Sequence, residues 1–188
     1  MREKDIRDSL KKNLHLGFIN EPDTLIIDEV GLCQGAARID ILVINNSLYG
    51  YEIKSDKDTL DRLQNQERVY SSVLNNVTIV SANNHIKGIV EIIPEWWGIK
   101  EPVEVNGEVE LVDIRLPNEN PYIDPFLMVQ FLWRDEALDI LRDLDLAKGV
   151  TSKPRNVIWE RLAYSLPPEN IEALVLSRLK ERGNWLSD

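Results

Sequence analysis

Between residues 2 and 16 the apolar positions Ile6, Leu10 and Leu14 recur every four residues among Lys, Arg and Asp. That spacing predicts an amphipathic helix ending before Gly17. Glu21-Pro22-Asp23 breaks the chain, and Thr24 to Val30 (TLIIDEV) predicts a first strand. Arg38 to Ile44, rich in β-branched residues and too short for a typical helix, predicts a second. Asn45-Asn46-Ser47 is a turn cluster, so Leu48 to Lys54 returns as a third strand through a hairpin. Ser55 to Asp58 offers N-caps for a helix through Leu74, and Val77 to Ala82 predicts a fourth strand. Reached through a helix, that strand suits parallel pairing by a right-handed crossover.

His85 to Ile93 predicts a short helix, and the Trp96-Trp97 pair closes this unit with packing anchors. Asn106-Gly107 between Val103–Val105 and Val109–Leu116 predicts a hairpin. Residues 117–125 are punctuated by proline, and 126–146, 154–166 and 168–182 carry helical apolar spacing. The organisation expected is a core over 1–100, an acidic β-hairpin extension over 101–119 and a C-terminal helical module over 120–188. That module reads as a small bundle or winged-helix-like unit that grips DNA, binds a partner or completes the first unit's core.

With 43% hydrophobic and 29% charged residues in 188, the chain is an ordinary globular α/β protein. No apolar run approaches the roughly 20 residues of a membrane span, and the first residues lack an apolar signal core. A cytoplasmic protein without a membrane partner is expected. The single cysteine, Cys33, excludes an internal disulfide and a multi-cysteine zinc site. A net charge of −10 argues against a polyanionic partner until its distribution is seen. Half of it lies between 101 and 119, where Arg115 alone faces Glu101, Glu104, Glu108, Glu110, Asp113 and Glu119. That face would repel DNA and should point away from a nucleic-acid substrate. Between Lys148 and Arg182 cations predominate, read either as a local basic face or as a solvated mixed-charge surface.

Candidate chemistry sits on the second and third strands. Alternation places Glu52 and Lys54 on one face of the third strand, and Arg38 and Asp40 on one face of the second. With neighbouring strands about 4.8 Å apart, Asp40 and Glu52 can hold one hard cation with Lys54 beside it. Mg²⁺ suits such a site, because it takes oxygen ligands and keeps several waters; Mn²⁺ is the substitute. Glu29, at the end of the first strand, is the candidate third carboxylate, with Glu3 on the helix as the alternative. Gln66 and Tyr70, at i and i+4, face the same way. His15 and His85 have no ligand spacing, which disfavours a histidine metal site.

Arg-Ile-Asp at 38–40, Glu-Ile-Lys at 52–54 and Gln66-x-x-x-Tyr70 together resemble the PD-(D/E)XK nuclease superfamily, and within it a family of small nuclease-like proteins of bacteria and phages. Ile39 stands where the signature has a dispensable proline. The resemblance covers roughly the first hundred residues and implies a restriction-endonuclease-like core: helix, three strands, helix, strand. It also implies Asp40 and Glu52 as metal ligands, Ile53 lending its backbone carbonyl, Lys54 as the catalytic lysine, and Gln66 and Tyr70 as accessory residues. The activity implied is Mg²⁺-dependent hydrolysis of DNA phosphodiester bonds, for which two copies would suit cutting both strands. Arg38, Arg62, Lys153 and Arg155 are the candidate substrate contacts. The alternatives are a non-catalytic nucleic-acid or protein binding module on the same fold, and an ordinary ion-pair cluster.

Overall fold

The computed structural model describes residues 1–182. Its six strands form one sheet in sequence order: β1 (Leu25–Leu32), β2 (Ala37–Ile44), β3 (Leu48–Lys54), β4 (Asn76–Ser81), β5 (Gly98–Val105) and β6 (Glu108–Arg115). The first three pair antiparallel, β4 is parallel to β3, β5 is parallel to β4, and β6 returns antiparallel. The parallel β3–β4 pair needs a crossover, which helix α2 (Leu63–Val73) supplies.

Helix α1 (Glu3–Gly17) covers one face of the sheet, burying Ile6, Leu10 and Leu14 against Ile41, Val43, Ile53 and Val80. On the other face lie α2, α3 (Asn83–Val90), α4 (Pro125–Met128), α5 (Arg134–Asp143), α6 (Arg155–Ala163) and α7 (Pro168–Glu181). One apolar cluster there joins Ile39, Leu42, Ile44 and Ile79 of the sheet to Met128, Leu141, Ile158, Leu162 and Leu179. The C-terminal helices therefore complete the core of the sheet. Two buried asparagines tie the joint. Asn75 Oδ1 accepts from the Leu48 N–H at 2.8 Å while its Nδ2 donates to Glu172 at 2.6 Å. Asn120 Nδ2 donates to the Ser71 and Leu74 carbonyls, each at 2.8 Å.

The hairpin expected as a separate extension continues the same sheet, because β5 pairs with β4 and begins at Gly98. The 100/101 boundary thus falls inside a strand. Asn106 (φ 54°) and Gly107 (φ 83°) make the turn, both left-handed as a two-residue hairpin requires. The acidic β6 forms the sheet edge opposite β1.

Three helical expectations are corrected. α2 begins at Leu63 and not near Asp58, because the Asp58 carboxylate accepts from the Ser55 N–H at 2.7 Å and hydroxyl at 2.6 Å and closes a local turn instead. α3 runs from Asn83 to Val90, starting two residues and ending three residues earlier than expected. The helix expected over 126–146 is broken: a 3-10 turn (Val129–Phe131) follows α4, Leu132 is extended, and α5 starts afresh. Glu136 makes the restart favourable by accepting the Trp133 N–H at 2.7 Å. Among the described residues, no helix is long and apolar enough to cross a membrane.

Candidate functional site

The in–out alternation of β2 slips at Asp40. Ile39 and Leu42 belong to the larger core, whereas Ile41 and Val43 face α1. β1 slips at the facing position, since Ile27 and Val30 both pack toward the larger core and Glu29 between them has φ 57°. The ladder pairs Asp28 with Ile41 and Val30 with Ile39, and skips the intervening pair. A left-handed non-glycine residue persists only where its surroundings hold it. Here Arg7 holds Glu29 Oε1 at 2.9 Å and Arg38 holds Oε2 at 2.8 Å. Arg38 and Asp40 are thereby linked through one chain of contacts, Arg38 to Glu29, Glu29 to Arg7 and Arg7 to Asp40.

The slip turns the Asp40 carboxylate into the gap between β2 and β3. Its Oδ2 accepts the Ile53 N–H at 2.7 Å, and its Oδ1 accepts from Arg7 Nη2 at 3.0 Å. Continuing the Ile41–Tyr51 register by one step places Asp40 opposite Glu52. Glu52 is held from the α2 side. Lys54 Nζ donates to its Oε1 at 2.7 Å and Gln66 Nε2 donates to the same oxygen at 2.6 Å. The Tyr70 hydroxyl lies 2.8 Å from Oε2 and 2.6 Å from the Arg38 carbonyl oxygen, one proton between two acceptors. Lys54 also donates to Gln66 Oε1 at 3.1 Å, so Gln66 holds both ends of the Glu52–Lys54 pair. Ile53 turns its side chain into the α1-side core, leaving only backbone for the site.

A cleft of about 550 Å³ runs along these groups. Glu29, Arg38, Asp40, Glu52, Ile53, Lys54, Arg62 and Gln66 all line it, and so does Glu3. Tyr70 is fully buried behind Glu52. Two expected substrate contacts are elsewhere: Lys153 and Arg155 do not line this cleft, and Arg155 lines a neighbouring groove.

Burial raises the pKa of Asp40, and burial followed by the nearby Asp40 charge raises that of Glu52. Tyr70 is raised by burial and then by Glu52, which keeps its proton on the hydroxyl. Each of these desolvated carboxylates is paired with one side-chain cation, Asp40 with Arg7 at 3.0 Å and Glu52 with Lys54 at 2.7 Å, and both offer the hard oxygen donors that Mg²⁺ takes. Each carboxylate oxygen already carries a hydrogen bond but has further lone-pair capacity. Among the described residues, no three His, Cys, Asp or Glu side chains converge as ligands. A cation here would take Asp40, Glu52, the Ile53 carbonyl and waters, within the one or two carboxylates usual for Mg²⁺.

Arg7 is the site residue that sequence reasoning missed. Its guanidinium meets Glu3 at 2.8 Å, Glu29 at 2.9 Å and Asp40 at 3.0 Å. Burial pulls its pKa down, but the three carboxylates outweigh that and hold it above the usual value. The Glu3–Arg7 spacing of i, i+4 was visible in the sequence, whereas the Asp40 contact spans 33 positions and was not.

Residues 1–187 match a family model described as bacteriophage P4 protein cII. Protein cII of Enterobacteria phage P4 is 27% identical over 183 residues, spanning 97% of this chain and 68% of that protein. A solved structure, the SPO1766 protein of unknown function from Silicibacter pomeroyi, aligns with a TM-score of 0.39 and 13% identity over 72% of this chain and 89% of that one. That likeness is too distant to bear on the fold.

Proposed function

The chain belongs to the bacteriophage P4 protein cII family, and we propose that it is a Mg²⁺-dependent nuclease of the PD-(D/E)XK type acting on DNA. The observation that carries this reading is the convergence of Asp40, Glu52 and Lys54, from two strands, on one cleft where Lys54 Nζ is 2.7 Å from Glu52. The order helix, three antiparallel strands, helix and a fourth strand parallel to the third supports a restriction-endonuclease-like core.

Asp40, Glu52 and the Ile53 carbonyl would hold the ion, which supplies Lewis acidity toward the phosphate and a water of lowered pKa. Lys54 orients that water and offsets the charge that develops on the phosphate. Gln66 fixes Lys54 in place, and Tyr70 fixes Glu52, so neither pair of atoms needs to reorganise during reaction. Arg38 and Arg62, both exposed on the cleft wall, supply cations for the flanking phosphates. The acidic β6, at the far sheet edge, stands clear of that path.

The test is incubation with linear, supercoiled, single-stranded and branched DNA and with RNA, in Mg²⁺ or Mn²⁺ against chelator. Metal-dependent cleavage of DNA supports the reading. Binding without cleavage of any substrate would favour a non-catalytic module, and cleavage confined to RNA would reassign the substrate.

A further inference from the structure

Beside the cleft, and sharing Glu29 and Gly31 with it, lies a second groove of about 620 Å³. β1 forms one wall and the starts of α5 and α6 form the other. Asp28 and Glu29 line the β1 wall, and three features mark the opposite side. Arg155 is exposed, with its guanidinium 5.2 Å over the Trp159 ring and 2.8 Å from the neutral Gln34 Oε1. Among the described residues no carboxylate lies within ion-pair distance of it. Arg134 is held in place by the Thr151 carbonyl at 2.7 Å and pairs with the exposed Asp135 at 2.8 Å, while 38% of its side chain stays open to solvent. Trp133, next to it, exposes 44% of its surface at the groove wall, with the Arg182 guanidinium 4.3 Å over its ring.

We propose that this groove is a subsite for the single-stranded flank of a DNA substrate, with Arg155 and Arg134 on successive phosphates and the Trp133 ring stacked on an unpaired base. This inference rests on the nuclease reading of the adjoining cleft. Positive groups that track a backbone and an exposed ring that stacks on bases are the two elements of single-strand binding. Inside a duplex both faces of a base are covered by its neighbours, so a ring at a groove wall reaches the bases of a single strand more readily. The Cys33–Gly35 turn builds the junction between groove and cleft: Cys33 (φ 48°), Gln34 (φ 59°) and Gly35 (φ 86°) are all left-handed, and Gln34 at its tip holds Arg155.

The experiment measures binding without cleavage. Full-length protein in chelator is titrated into a fluorescein-labelled oligothymidylate, with a duplex of equal length and an oligouridylate as separate arms, followed by anisotropy. The wild type should bind the DNA single strand more tightly than the duplex. Trp133→Ala should weaken it about tenfold, in line with the loss of one base stack. Arg155→Glu should weaken it and flatten the dependence of log Kd on log salt by roughly one phosphate contact or more. Lys87→Ala, which removes an exposed cation that lines neither cleft nor groove, should bind like the wild type and so shows that the losses are local to the groove. Both groove positions are exposed, and Arg155→Glu decides the question should Trp133→Ala lower the melting temperature. Absence of single-strand binding, a duplex bound as tightly, RNA bound more tightly than DNA, or unchanged affinity and salt slope in Arg155→Glu would overturn the proposal. Failure of the cleavage panel with these binding results intact would remove the nuclease reading and leave the groove standing as a binding site.

Discussion

Arg7 on α1 and Asp40 on β2 are joined by two hydrogen bonds, Nη2 to Oδ1 at 3.0 Å and Nη1 to the Asp40 carbonyl oxygen at 3.1 Å. The same guanidinium carries Glu3 and Glu29, so it neutralises the acidic side of the cleft and competes for the oxygen a cation would use.

Arg7→Gln should therefore act in two directions. It leaves Glu29 and Asp40 facing each other without their shared cation, at a cost of about 1–2 kcal/mol for these partly exposed groups. It should also tighten Mn²⁺ binding by freeing Asp40 Oδ1. Calorimetric titration with Mn²⁺ checks the second effect and a melting curve the first. Weaker Mn²⁺ binding in the variant would show that Arg7 builds the ion site and does not compete for it.

Stability and metal response should both depend on pH. Asp40 and Glu52 are raised above the ordinary 3.8 and 4.5. A carboxyl raised in the folded state holds its proton more tightly there than in the unfolded chain. The pair's contribution to stability is thus greatest at low pH and falls as pH rises from those ordinary values through the raised ones. A divalent cation needs the ionised forms and relieves their repulsion, so the Mg²⁺-induced rise in melting temperature should be larger at about pH 8 than at about pH 5. Equal Mg²⁺ shifts at both pH values would place the bound ion away from these two carboxyls.

Tyr70→Phe removes the hydroxyl between Glu52 Oε2 and the Arg38 carbonyl oxygen in a fully buried position. Leaving those acceptors short of a donor should cost about 1–3 kcal/mol. The urea midpoint should fall with an unchanged slope, because the loss is local. A variant as stable as the wild type would mean that water replaces the hydroxyl.

Much of this was legible in the sequence because period and chemistry agreed there. The β2–turn–β3 hairpin, the parallel β4 and the Glu52–Lys54 face follow from alternation and turn residues, and Gln66 with Tyr70 follows from i, i+4 spacing. Asp40 was legible as a site residue, but the turn of its carboxylate into the gap between β2 and β3 was not. Its orientation depends on the left-handed Glu29 in the neighbouring strand, and glutamate gives no local signal for that conformation. The break at Leu132 was hidden because apolar spacing runs through it; the Glu136 cap is local but follows a tryptophan, not a usual capping residue, and the Arg182 bond to the Phe131 carbonyl spans 51 positions. The place of β5 and β6 in the main sheet was likewise out of reach, since a hairpin signal says nothing about what its outer strand pairs with.

The central claim is that Asp40 and Glu52 hold the ion while Lys54 performs chemistry beside it. The measurement that tests it most directly compares Mn²⁺ affinity and DNA cleavage in Lys54→Ala and Asp40→Ala. Lys54→Ala should lose cleavage by at least about a hundredfold yet still bind Mn²⁺, because it removes the orienting cation and no ligand. Asp40→Ala should lose both, because one carboxylate remains for an ion that dehydrates reluctantly. Wild-type cleavage that survives both substitutions, or Mn²⁺ binding undiminished in Asp40→Ala, would contradict the account.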